Sequence, residues 1–288
     1  MAGTSWGKEK EVLLSTYKAI GQSIYNYCSS IWSPTVEEST WKDLQVAQNS
    51  CLRTALGCVK MTSVDHLHTE STIMPVKDDC QMMSKQFLLA TQNVNHPNYD
   101  NHNHDPPRLM KKTLTSEHGD YIYNLTNGIH DETNHKSLLK RIHTESVSAT
   151  IALESPNPIL GHKPPEIDKS ERDLPRITRS TLSQLRSGYS SKLNSYLARI
   201  RNDVQNSCPD CKAHPHTTEH LFDCPAKPTD LTTRDLWTNP KEAAQFLGLG
   251  GQEMMITSAG QATTTTTTSI LPSICTMYIH PIIYSIHL

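Results

Sequence analysis

The stretch Glu11-Val12-Leu13-Leu14-Ser15-Thr16-Tyr17-Lys18-Ala19-Ile20-Gly21-Gln22-Ser23-Ile24-Tyr25-Asn26-Tyr27-Cys28-Ser29-Ser30-Ile31-Trp32 sets the fold class. Leu13, Tyr17, Ile20, Ile24, Tyr27 and Ile31 recur at steps of three and four, the period that lines one face of an α-helix. The spacing predicts one long helix from about Glu9 to Trp32, ended by Pro34. Thr40-Trp41-Lys42-Asp43 has the form of a capping box and predicts a second helix, with Trp41, Leu44, Cys51 and Ala55 inward. Gly57 stands where a left-handed cap closes that helix. A short segment near 64–69 follows. Pro75 then opens a helix whose stripe is Val76, Cys80, Met83, Phe87 and Ala90. The chain therefore reads as mainly α.

Beyond this bundle the pattern changes. Apolar residues make up only 36% of the 288, aromatics 6%, and 17 prolines are scattered along the chain, which argues against one continuous core. Residues 96–107 are almost devoid of apolar side chains. From 94 to 165 only Ser137–His143 has a weak helical patch, so this segment is expected to be a largely disordered linker. Order is expected again from Leu174, where Leu182, Leu185, Leu193, Tyr196, Leu197 and Ile200 share a face across two helices broken at Ser187-Gly188. Asn239-Pro240 predicts the start of a last helix ending near Gly248. After about 250 come six threonines, 263–268, and an apolar stretch, 269–288, interrupted by Pro272 and Pro281. This reads as a tail without a fold and a poor membrane span.

Chemistry concentrates at Cys208-Pro209-Asp210-Cys211, His220 and Cys224, spaced C-x2-C-x8-H-x3-C. Three thiolates and an imidazole suit tetrahedral Zn²⁺, and a full protein ligand set makes the site structural. His214 and His216 compete for the third position. His220 is preferred because His220-x3-Cys224 places two ligands on one helical turn. The other candidate site is basic. From Leu174 to Arg201, Arg176, Arg179, Arg186, Lys192, Arg199 and Arg201 meet no acidic residue, a plausible phosphate-binding surface beside the metal module.

Catalytic patterns are missing. There is no Tyr-x-Asp-Asp, Gly-rich phosphate loop, Gly-x-Ser-x-Gly or His-Glu-x-x-His. The sole Asp-Asp, Asp78-Asp79, follows Pro75 in a helical first turn, where acidic residues suit the dipole. No catalytic residue is assigned. Cys28, Cys51, Cys58 and Cys80 fall within helical patterns as small core residues. Met1-Ala2-Gly3-Thr4-Ser5-Trp6-Gly7 lacks a leader's apolar segment, so an intracellular compartment, nucleus or cytoplasm, is expected.

These residues also carry a family resemblance. Ala2–Gly7, Leu13–Ile20, Tyr27, Ile31-Trp32-Ser33-Pro34, Leu44-Gln45, Gln48-Asn49, Leu52–Ala55, Gly57-Cys58, His66-Leu67-His68 and Gln86-Phe87-Leu88 resemble the post-palm region of jockey-type non-LTR retrotransposon reverse transcriptases. Leu182–Gly188, Thr218-Glu219-His220 and Cys224-Pro225 are similar to that family's carboxy-terminal pattern. Together the matches cover about 2–93 and 174–249. The residues thus divide the chain into a helical bundle over 1–93, the linker over 94–165, basic helices with the zinc knuckle over 166–249 and the tail over 250–288, and the resemblance implies that the first is thumb-like. It further implies RNA or DNA as partner, with an element-encoded palm or ribonucleoprotein alongside. The palm that carries polymerase activity in that family has no counterpart here, so the expected function is that of a truncated element fragment that binds nucleic acid. The alternatives are a subunit completing RNA-directed DNA polymerase in trans and a domesticated protein–protein adaptor.

Overall fold

The computed structural model describes residues 7–93, 95–99, 113–126 and 134–249. The structure is mainly helical, with no β-strand among the described residues. The tail after 249 lies outside them, as do the remaining residues of 100–112 and 127–133.

The opening stretch is broken where one helix was expected. It runs as α1 (Lys10–Thr16), a π-helical turn (Tyr17–Gln22), α2 (Ser23–Asn26) and α3 (Ser29–Trp32), with Cys28 at φ 53° between the last two. A π-turn holds one residue more than an α-turn and rotates everything after it. The inward positions become Tyr17 and Tyr25, eight apart, with hydroxyls 3.1 Å from each other. The predicted stripe swings outward: Ile20, Tyr27 and Ile31 are 62%, 78% and 63% exposed. Gly21 is required at the turn, because a Cβ there would stand 2.8 Å from the Tyr17 ring.

Helix α4 (Glu38–Leu56) starts two residues before Thr40, behind an extended Glu37, so the predicted capping box lies inside it. It buries Trp41, Leu52, Ala55 and Leu56 and ends on Gly57 at φ 73°, a conformation cheap only for glycine. Helix α5 (Val64–Ser71) is capped by Ser63, whose hydroxyl accepts the His66 N–H. Helix α6 (Val76–Thr91) buries Val76 and Cys80 with the first cluster, around Leu52, Leu56 and Leu67. Its Met82, Leu88 and Leu89 belong to a second cluster.

That second cluster needs partners, and they come from the segment expected to be a linker. Helices α7 (Leu114–Thr126) and α8 (His135–Leu153) pack on α6 through Ile122, Leu125 and Ile142. The segment is polar on average, yet Leu114, Tyr121, Ile122 and Leu125 of α7 and Leu138, Leu139 and Ile142 of α8 pack with the Met82, Leu88 and Leu89 face of α6. The patch at 137–143 is the visible part of a helix that continues to Leu153. Full burial of a Leu or Ile contributes about 1.5–3 kcal/mol, so Ile122, Leu125 and Ile142 are the largest apolar contributions that dock the pair on α6.

The carboxy-terminal part comprises α9 (Arg176–Arg186), α10 (Asn194–Ile200), α11 (Thr218–Phe222), α12 (Asp235–Thr238) and α13 (Pro240–Phe246). Leu182, Leu185, Leu193, Phe222, Leu236, Trp237 and Ala243 form its core. Pro240 sits at the first position of α13, as expected. Gly188, at φ 75°, separates α9 from α10.

Candidate metal centre

Cys208 and Cys211 sit on a tight turn. The Lys212 N–H donates to the Cys208 carbonyl at 3.0 Å and the Cys208 N–H to the Ala213 carbonyl at 2.9 Å. Lys212 takes φ 63° to close it, a left-handed conformation that costs a lysine more than a glycine. Helix α11 supplies His220, and Cys224 follows two residues after the helix ends. This module is anchored to the core, because Phe222 stacks on Phe246 with centroids 5.9 Å apart and the Thr218 hydroxyl donates to the Leu185 carbonyl at 3.0 Å.

The ligand atoms of Cys208, Cys211, His220 and Cys224 lie within 4.8 Å of one another, and among the described residues they form the one Cys/His/Asp/Glu group so arranged. Cys208 Sγ and Cys224 Sγ are 3.8 Å apart, and Cys211 Sγ is 3.1 Å from His220 Nε2. A tetrahedral Zn²⁺ with bonds of about 2.0–2.3 Å separates its ligands by about 3.5–3.8 Å, so the cluster fits to within small side-chain adjustments. Burial alone would raise the Cys208 thiol, but backbone N–H groups of Cys211 and Asp210 outweigh it and bring it down to about 6. The thiolate a metal requires is thus favoured by the turn itself.

The two rival histidines do other things. His214 is exposed and precedes Pro215. His216 is buried, and its Nδ1 accepts the Asn194 N–H at 3.0 Å, while its own N–H donates to Asn206 Oδ1 and its carbonyl accepts from the Ser195 N–H. It pins the start of α10 to the metal loop. Burial, then the neighbouring His220, hold its pKa below the usual range, in keeping with a neutral acceptor.

The six basic residues divide. Arg176 is 7% exposed and donates to the Ala55 and Thr54 carbonyls at the end of α4, at 3.1 and 2.8 Å. Arg179, 4% exposed, pairs with Glu9 at 2.9 Å and with Glu11. Arg186 is fully buried. It pairs with Glu70 at 2.8 Å and with Glu171, donates to the Leu236 carbonyl, and lies over the Trp237 ring. Contrary to the expectation from their spacing, these three are buried and paired and cannot serve a phosphate backbone. Their charge is spent docking α9 onto the amino-terminal helices, helped by Gln184, which donates to the Gly57 carbonyl at 2.7 Å. Lys192, Arg199 and Arg201 are exposed around α10.

Asp79 accepts from Gln22 at 2.7 Å and Asn26 at 3.0 Å, so it ties α6 to the opening helices. Sequence reasoning passed over Tyr189 and took Tyr196 only as part of an apolar face; the ring of Tyr189 meets that of Tyr196, on α10, edge to face at 6.2 Å, with the Arg199 guanidinium 5.7 Å from the Tyr189 centroid. Among the described residues no helix is long and apolar enough to cross a membrane. Comparisons with protein-family models, with curated proteins and with solved structures each find no match to this chain.

Proposed function

We propose that this chain is a nucleic-acid-binding protein built around a structural zinc site, derived from the carboxy-terminal region of a jockey-type non-LTR reverse transcriptase. The carrying observation is the convergence of Cys208, Cys211, His220 and Cys224, with exposed Arg199 on the helix that His216 fastens to that loop and exposed Lys192 and Arg201 at its two ends. A site with four protein ligands leaves no open position for a reactive water, so the metal acts on folding rather than on a substrate. The motifs over 2–93 and 174–249 support the ancestry. Binding would run through phosphate contacts, with no base-reading element assigned.

Fluorescence anisotropy of the zinc-loaded chain with labelled RNA and DNA, across a salt series, tests this. Three cations engaged on a single strand give a log–log salt slope of about −2. Absence of binding at low ionic strength, with zinc confirmed by native mass spectrometry, would remove the proposal. A second reading, association with a separately encoded polymerase palm, is favoured by the exposed apolar stripe of Ile20, Ile24, Tyr27 and Ile31. Primer extension that appears only when such a palm is mixed with this chain would establish it.

A further inference from the structure

We infer that Tyr189, Tyr196 and Arg199 form a stacking platform for the unpaired bases of a single-stranded nucleic acid; the inference rests on the nucleic-acid reading above and narrows its ligand. Gly188 turns the chain at φ 75° immediately after α9, and the Tyr189 N–H donates back to the Gln184 carbonyl at 3.1 Å. That turn sets Tyr189 partly buried beside α10. Tyr196 leans partly on the carboxy-terminal core and meets Tyr189 edge-on, with ring planes at 77°. Arg199, one turn further along α10, holds its guanidinium over Tyr189. Two aromatic rings and a planar cation, all partly open to solvent, are the surfaces on which successive bases stack irrespective of sequence.

The surroundings suit a single strand better than a duplex. Exposed Lys192 and Arg201 lie within three residues of Tyr189 and Arg199 in sequence, and between 187 and 207 the one acidic residue is Asp203. The metal loop next to it carries Asp210, Glu219 and Asp223 against Lys212 and Lys227, with Lys227 paired to Asp210 at 2.8 Å, so the cations that meet a strand are those around α10. Reading a duplex groove needs an element that enters it. Helix α10 has only seven residues and is held at its start, where the Asn194 side chain donates to the Ser207 carbonyl at 2.7 Å. A duplex would offer phosphates to the cations but keep its bases inside, away from the tyrosines.

The test uses the full zinc-loaded chain with labelled oligo(U), oligo(dT) and a duplex of equal length, measured by anisotropy. Single strands are expected to bind at least tenfold tighter than the duplex, and the RNA and DNA arms show which sugar is preferred. Tyr189→Ala is expected to weaken single-strand binding by roughly five- to a hundredfold, the range for loss of one stacked base. Arg199→Lys keeps the charge on an exposed side chain and loses the planar face. It is expected to weaken single strands several-fold, leave duplex affinity unchanged and leave the circular dichroism spectrum intact. Equal affinity for single strand and duplex, or an Arg199→Lys protein that binds oligo(U) and oligo(dT) as before, would overturn this inference while leaving nucleic-acid binding in place. Loss of all binding by the unmutated protein would remove both.

Discussion

Helices α9 and α10 carry the same basic character in sequence and meet opposite fates in the fold. On one side of Gly188, Arg176, Arg179 and Arg186 are buried against carbonyls and carboxylates; on the other, Lys192, Arg199 and Arg201 stay in water. What separates them is the presence of partners far away in the chain. Glu9, Glu11, Glu70 and the end of α4 converge on α9 from more than a hundred residues upstream, and among the described residues no carboxylate pairs with Lys192, Arg199 or Arg201. A run of cations therefore says little about binding until its acidic counterparts have been placed.

Metal removal separates the two helices most sharply. Chelation, or Cys208→Ser with Cys211→Ser, is expected to unfold 206–226 and release α10, which His216 holds to that loop. Helix α9 should stay docked through Arg176, Arg179 and Arg186. Structural zinc sites in small modules contribute on the order of ten kcal/mol to local folding, so amide exchange should show full loss of protection around α10 and little change in α4 and α6. Protection retained across 206–226 after chelation would contradict the assignment.

Within α9, Arg186→Ala leaves Glu70 and Glu171 buried with a partner missing. It is expected to cost about 3–5 kcal/mol, read as a large fall in Tm. Arg199→Ala, matched in chemistry but exposed, is expected to stay within about 0.5 kcal/mol. Similar losses for the two would erase the contrast.

Acid provides a finer probe of the same clamp. Burial would raise the Glu70 carboxyl, but Lys10 and Arg186 beside it outweigh burial and hold it below the usual carboxylate range. A depressed folded pKa means that the stabilisation is complete above about pH 4.3, the unfolded value, and is lost as pH falls through the folded one. Denaturant midpoints should therefore fall steeply below about pH 4, and Glu70→Gln should flatten that dependence. The smallest expected effect lies at the ends of α10, where Lys192→Ala or Arg201→Ala should leave stability unchanged and reduce the salt slope of single-strand binding by about 0.7 each.

Much of this was visible in the residues. Gly57, Pro240 and the Cys/His spacing are local signals, each tied to a backbone or ligand requirement that short sequence carries by itself. The helical spacing of His220 and Cys224 already favours His220 over His214 and His216 as the third candidate ligand, whereas the role of His216 as an internal acceptor for α10 is one only three-dimensional placement reveals. Helices α7 and α8 were hidden because a few apolar side chains, correctly phased, can anchor a polar segment that its average composition describes as unstructured. The buried arginines were misread for the reason already given. In the opening stretch the period was right and the face was wrong, because nothing in the heptad-like spacing marks an added residue in the winding.

That added residue has a consequence for tolerance to change. Between Tyr17 and Gln22 the backbone accommodates one position more than regular coiling allows. Removing a single residue there would restore ordinary winding while keeping Tyr17 and Tyr25 aligned, now seven apart and still on one side. The same edit anywhere in α4 would throw Trp41 and Leu52 out of register. A deletion scan through the first third of the protein should accordingly find one permissive island, at the place where a substitution such as Gly21→Ala is hardest to accept.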